Sequence, residues 1–425
     1  MMIQKQIFSV LVELKRKFIE QLKPEDMTNY NGKSFTRKSP LTLQRLLTII
    51  LRCSPFGLQI AIDDYYEEIG KKEDTVTKQA FSTARANLDP LVVRESFNLT
   101  AQALSSCEDL KLFRGKYRVT AIDGSIMTLD NNIELLTYFG GSGQNYDCVS
   151  ALASTCYDVL NNIILDGNLY AYGTSEREAA REHFKQVETL PLPEGVENLY
   201  VKDRGYISKE LMADMMDAGL SFLMRVREKF NLDIDNAKDN ETITFVHDGK
   251  KYQVRVFKIM LSSGEEETLV TNLPEEDMTS CEAGEVYFGR WKIESKYDSL
   301  KNKLELENMS GRSVVATYQD FWAKLDLANM TAALKYATNE VIEHNDAQKC
   351  NKYQQTTNES RLITKFTKRY IEILCTPDID QRLALYDELV QDIAQRPVEV
   401  KPHRKHIRKK PRKKKFSDKH KRSLT

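Results

Sequence analysis

Two short apolar runs, each ending on an aspartate and broken by a glycine, limit this chain to a narrow set of α/β plans. Residues 117–125 read Y-R-V-T-A-I-D-G-S, and the β-branched and apolar climb to Asp123 followed by Gly124 predicts a strand and then a turn. Residues 198–206, N-L-Y-V-K-D-R-G-Y, repeat the arrangement around Asp203 and Gly205. An aspartate at the C-terminal end of a buried strand sits where an open sheet places its ligands. Taken singly, each is equally an ordinary turn-former or helix cap. The patterning also predicts strands over 149–159 and 163–170, separated by an Asn161-Asn162 turn. Ser175, with Glu178 three residues on, caps a helix that runs to about Val187. A second helix over 208–218 closes at Gly219, and a strand over 221–226 follows. The series is β, β, β, α, β, α, β.

A third acidic residue stands on a different kind of element. In Y-F-G-R-W-K-I-E-S-K-Y-D-S-L-K (287–301), Tyr287, Arg290, Glu294 and Lys301 are spaced so that a helix sets them within roughly 60° of one another. A phenol, a guanidinium, a carboxylate and an ammonium on one stripe suit a metal ion beside a phosphate. The carboxylate binds the metal, the cations hold phosphate oxygens, and the ring packs on sugar or base. Such a stripe is also how an ordinary salt-bridged helix face looks.

Taken together, these motifs resemble the insertion-sequence transposases of the DDE superfamily, in the group marked by Y-x2-R-x3-E-x6-K. Tyr287, Arg290, Glu294 and Lys301 fit that spacing without a gap, and A-I-D-G-S and V-K-D-R-G-Y match the two preceding motifs. E-L-E-N-M-S-G-R-S (305–313) and Q-D-F-W-A-K-L (319–325) are similar to the segment after the family's glutamate. The resemblance covers about residues 40–345. It implies a ribonuclease H-like catalytic core with Asp123, Asp203 and Glu294 as catalytic and metal-binding acids. It also implies two Mg²⁺ ions, with Mn²⁺ able to substitute, and double-stranded DNA as substrate, both terminal inverted repeats and target, handled by a homodimer. Cleavage would free a 3′-OH that attacks target DNA, each step an in-line substitution at phosphorus. Tyr287, Arg290, Lys301 and Trp291 are the expected DNA contacts around the third acid. A metal-dependent nuclease and a catalytically idle DNA-binding relative remain alternatives on the same fold.

The rest of the chain agrees with oxygen-based chemistry. Mg²⁺ prefers carboxylate, phosphate and water oxygens. Three of the six histidines (His403, His406, His420) lie in the terminal basic stretch, and His183, His247 and His344 are scattered without ligand spacing. Seven cysteines, with no C-x2-C pair, fit reduced cytosolic thiols. No apolar run approaches the roughly 20 residues that cross a bilayer. A cytoplasmic, nucleoid-associated protein is expected.

Between Asp203 and Glu294, residues 227–283 alternate polar and apolar positions and predict a β-rich insertion. In some family members a tryptophan there stacks on a flipped base. Here Trp291 and Trp322 both lie outside it, leaving Phe245, Tyr252 and Phe257 as aromatic substitutes. Residues 1–112 read as an all-helical, DNA-end-binding domain, with a helix-turn-helix over 58–88 that directs Phe81, Ala84 and Leu88 inward and Lys78, Ser82 and Arg85 outward. The catalytic domain is expected over 113–345, further helices over 346–396, and a basic tail over 397–425. The chain as a whole is neutral, yet residues 401–425 hold thirteen Lys and Arg against one Asp. Such a stretch is expected to be disordered and to touch phosphates in a salt-dependent way.

Overall fold

An amphipathic run that stops before Pro24 forms α1 (Met2–Gln21), and four more helices follow: α2 (Leu43–Arg52), α3 (Leu58–Glu68), α4 (Lys78–Ala86) and α5 (Pro90–Ser105). Thr42 and Thr77 cap α2 and α4 by accepting the backbone N–H of Arg45 and Ala80. The sheet begins with β1 (Tyr117–Thr128), then α6 (Ile133–Phe139), β2 (Gly141–Ser142), β3 (Cys148–Asp158), β4 (Ile163–Ala171), α7 (Glu176–Val187), β5 (Glu197–Lys202), α8 (Lys209–Asp217) and β6 (Ser221–Val226). After α9 (Leu232–Asn236) come β7 (Glu241–His247), β8 (Lys250–Met260) and β9 (Glu266–Thr271), and then α10 (Ser280–Gly289) and α11 (Trp291–Asn302). The chain ends in α12 (Val314–Asp346), β10 (Gln355–Thr356), α13 (Glu359–Cys375), α14 (Ile379–Ala394) and β11 (Val398–Glu399). This computed structural model describes residues 2–143, 148–261, 264–346 and 352–401. Most of the expected basic tail lies outside the described residues.

Two compact units divide the chain, and neither is one continuous segment. The first gathers Met1–Leu104, Met127–Ala151 and the described residues from Ser299 onward; the second gathers Ser105–Ile126 and Leu152–Asp298.

The first unit is built around α12, which packs on α1, α2, α13 and α14 and is buried along most of its length. Burial on several faces explains a sequence without a one-sided apolar stripe. Polar side chains inside it are paired. The Lys15 ammonium bonds to Asp326 and to Ser96 Oγ, and Thr100 Oγ1 donates to Asp326 at 2.6 Å.

The second unit holds the central sheet. Its strand order runs β4-β3-β1-β5-β6-β9-β8-β7. Val159 N–H bonds to the Val119 carbonyl and Leu129 N–H to the Val149 carbonyl, so β3 and β1 run antiparallel. β1 pairs with β5 and β5 with β6 in parallel, whereas β9, β8 and β7 continue antiparallel. The expected β-rich insertion therefore extends the same sheet. The β3–β4 turn has Asn162 at φ 61° and the end of α8 has Gly219 at φ 71°, left-handed conformations that Asn and Gly adopt at low cost.

Three local expectations are corrected. β1 does not stop at Gly124 but continues to Thr128. The glycine answers to packing, since a Cβ there would stand 2.9 Å from Leu152 Cδ1. Ser175 caps α7 by accepting from Arg177 N–H, not by a reciprocal box with Glu178. The helix expected to carry Tyr287 through Lys301 is interrupted at Arg290, between α10 and α11. Arg290 N–H reaches back three residues to Tyr287, and Ile293 N–H three residues to Arg290, so the ladder tightens there. Gly289 at the break removes helix propensity where the axis changes.

Candidate active site

β1 and β5 are parallel neighbours, with Ala121 opposite Val201. Asp123, within β1, and Asp203, one residue past the end of β5, therefore lie level with each other just beyond the last paired residues of the two strands. Their surroundings differ. Burial pushes the Asp123 carboxyl up to about 6, with Glu176 and Glu294 adding like-charge repulsion against the N–H of Gly124 and the Arg290 cation. Burial also works against the charge on Asp203. The Arg204 N–H, the Tyr287 hydroxyl and the Arg290 and Arg225 cations outweigh it and hold that carboxyl below the usual range.

α10 and α11 supply the other face. Tyr287 is 2% exposed and donates its hydroxyl to Asp203 Oδ1 at 2.9 Å. Expected to lie against a sugar or base, it instead serves an acid; the sheet end covers its ring. Arg290 is 4% exposed, donates from Nη2 to Glu294 Oε1 at 3.2 Å, and leaves its buried Nε without a hydrogen bond. Its charge is felt by both Asp123 and Asp203. The Glu294 side chain is 43% exposed. Trp291 is also 43% exposed, with the Arg290 guanidinium 5.5 Å from its ring.

One acid escaped the sequence reading. Glu176, the first residue of α7, lays one carboxylate oxygen 3.2 Å from where a Gly124 Cβ would be, and the other 4.0 Å from that point at Gly205. Its neighbour Asp203 and its own partial burial raise its carboxyl, burial being the larger cause. An acid in the first turn of a helix is commonplace because it suits the helix dipole. The only hint was that α7 precedes the strand leading to Asp203.

The remaining expected residues lie elsewhere. Lys301, on the last turn of α11, pairs with Glu307 at 3.3 Å. Lys78 is exposed at the start of α4. Arg85 is a correction: expected to face outward, it is 4% exposed. Its guanidinium bonds Gln319 Oε1 at 2.7 Å, Asp320 Oδ1 at 2.8 Å, the Ala316 carbonyl at 3.0 Å and Ser310 Oγ. α12 covers Arg85, while Lys78 and Ser82 on the same expected face stay exposed. Phe245, Tyr252 and Phe257 are likewise buried in the extended sheet and present no ring to a flipped base.

Among the described residues, no three His, Cys, Asp or Glu side chains are placed to hold a metal ion as they stand. In chemistry the donor set suits a hard divalent cation. It consists of carboxylate oxygens, and carboxylate neighbours add to burial in raising the proton affinity of Asp123 and Glu176. No described helix is long and apolar enough to cross a membrane.

Among comparisons with known proteins, the family model agrees with the motif reading. No curated protein matches the chain. Among solved structures, the synaptic complex of piggyBac transposase with hairpin DNA is similar over 91% of this chain and 82% of that chain, at 12% identity and a TM-score of 0.38. The family model described as "Transposase DDE domain" matches residues 114–330, just over half of the chain and the span that holds Asp123, Asp203 and Glu294. This chain belongs to the transposase DDE domain family.

Proposed function

We propose that the chain is a DNA transposase that cleaves at transposon ends and transfers the resulting 3′-OH into target DNA. The observation that carries the reading is the placement of Asp123 and Asp203 side by side just beyond the paired stretch of two parallel strands, with the buried Arg290 guanidinium electrostatically coupled to both and bonded to Glu294. The strand order β4-β3-β1-β5-β6, antiparallel then parallel, supports a ribonuclease H-like core, with β9, β8 and β7 as its insertion.

Asp123, Asp203 and Glu294 would hold the divalent ions, and Glu176 offers a fourth carboxylate beside them. Divalent ions such as Mg²⁺ held by these acids would supply activation of the attacking oxygen and stabilisation of the leaving one. Tyr287 keeps Asp203 ionised and fixes its rotamer. Arg290 offsets the charge of the acids and would offer its guanidinium to a phosphate oxygen when DNA binds. Trp291 offers a stacking face, and Lys301 and Lys78 offer cations to flanking phosphates; Arg85 is left out because it is buried. Residues 1–112 would bind the transposon ends, two copies would act on paired ends, and the tail would add non-specific phosphate contacts.

The test uses labelled DNA carrying the inverted repeats that flank the gene, together with Mg²⁺ and a target plasmid. The wild type is expected to cut and to join. Asp123→Ala, Asp203→Ala and Glu294→Ala should each lose both steps while still shifting end DNA in a gel. Retained cutting in any one variant removes that residue from the site. Cutting without joining favours the nuclease, and binding without either favours the idle relative.

A further inference from the structure

The strand of Asp123 and the helix of Glu294 are joined by a side chain that has no part in the chemistry so far. Tyr297 lies one turn beyond Glu294 on α11 and is 6% exposed. Its hydroxyl stands 2.9 Å from the Asp123 carbonyl oxygen on β1 and 3.0 Å from the Ala153 carbonyl oxygen on β3. Thr155 Oγ1 donates to the same hydroxyl at 3.0 Å. A phenol has one proton, so the two carbonyls share it while a lone pair takes the threonine proton.

A buried hydroxyl needs only one partner to avoid a penalty, and a phenylalanine would fill the same volume with none. This one has three, drawn from two strands, and one of them is the main chain of the residue carrying the first acid. Two lysines of α11 reach elsewhere: Lys292 Nζ reaches the Val159 carbonyl at 3.4 Å and Lys296 Nζ reaches Asn162 Oδ1 at 3.3 Å, both at the β3–β4 hairpin. Tyr297 is the anchor of the three that touches β1. Ligands on separate elements share an ion only when held to within about 0.5 Å of a working geometry, which the flexible side chains of Asp and Glu do not achieve alone.

We infer, resting on the functional reading above, that Tyr297 is a positioning residue that sets the approach of the Glu294 helix to the Asp123 strand and so tunes cation affinity and turnover. The test compares full-length Tyr297→Phe with wild type in two measurements. One is a Mn²⁺ titration of the DNA-free protein followed by electron paramagnetic resonance; the other is end cleavage resolved into kcat and KM. The variant is expected to need roughly 10-fold more Mn²⁺ for half-saturation and to lose roughly 10- to 100-fold in kcat, with KM for DNA unchanged. A lower melting temperature with an unchanged Mn²⁺ midpoint and kcat overturns the inference and leaves Tyr297 a packing residue. Thr155→Val, which spares the phenol–carbonyl contacts, should move both readings the same way by less. If Tyr297→Phe does not fold, that variant decides alone, and no change in it overturns the inference. A wild type that binds Mn²⁺ but cuts no DNA sinks the functional reading instead and leaves the Mn²⁺ midpoint to judge Tyr297; one that binds no Mn²⁺ sinks both.

Discussion

Asp123 and Asp203 are the same side chain one strand apart, yet their neighbours push them in opposite directions. Asp123 meets burial and two other carboxylates and holds its proton up to about 6. Asp203 receives a backbone N–H and a phenol hydroxyl, beside two arginines, and gives its proton up early. Tyr287→Phe removes the 2.9 Å hydrogen bond to Asp203 and keeps the ring. The folded-state carboxyl then rises, so a reaction that needs Asp203 ionised should fail at a higher pH. The acid limb of the cleavage–pH profile is expected to move up by about one pH unit; an unmoved limb would detach Tyr287 from that acid. The acids themselves were legible because each sits in a local context, a strand end or a helix position, that sequence periodicity reveals. Burial of Tyr287 and Arg290 and the arrival of Glu176 were not, because each depends on which elements come together.

Among the helices, the same contrast decides which predicted faces survive. α4 forms where its pattern places it, with Phe81 and Leu88 buried, but Arg85 turns inward because α12 brings Gln319 and Asp320 to meet it. A helical wheel takes a charged residue for a solvent residue. A 33-residue buried helix carrying its own carboxylate reverses that assignment. α13 is fixed to its neighbours in a related way. Burial disfavours the charge on Glu359, but the Lys335 and Lys303 ammoniums outweigh it and hold the carboxyl at about 2. A depressed carboxyl stabilises the fold above its ordinary range, and that contribution is lost as pH falls toward 2. Glu359→Gln should therefore lower unfolding free energy by about 2 kcal/mol at pH 7, and by clearly less near pH 3. An equal loss at both values in urea melts would mean that packing, and not charge, anchors α13.

Across the whole molecule, charge and connectivity lie on different maps. Thirteen basic residues against one acidic residue beyond position 400 offset an acidic remainder, so the neutral total hides a cationic end. Removing residues 402–425 is expected to weaken binding to unrelated DNA at least tenfold near physiological salt, and to flatten the slope of log affinity against log salt. An unchanged slope would make the tail a bystander. Local periodicity was enough to place the strands and helices from Tyr117 to Val226 apart from α6 and the two-residue β2, and the family motifs named Asp123, Asp203 and Glu294 as candidates. Those features depend on residues within a few turns of one another along the chain. The tertiary structure alone decided that the insertion lengthens the sheet, that the compact units are assembled from separate segments, that Arg85 and Tyr287 are buried, and that Glu176 and Tyr297 stand beside Asp123. Those outcomes follow from contacts between residues far apart in sequence, and a pattern read along the chain carries no record of such contacts.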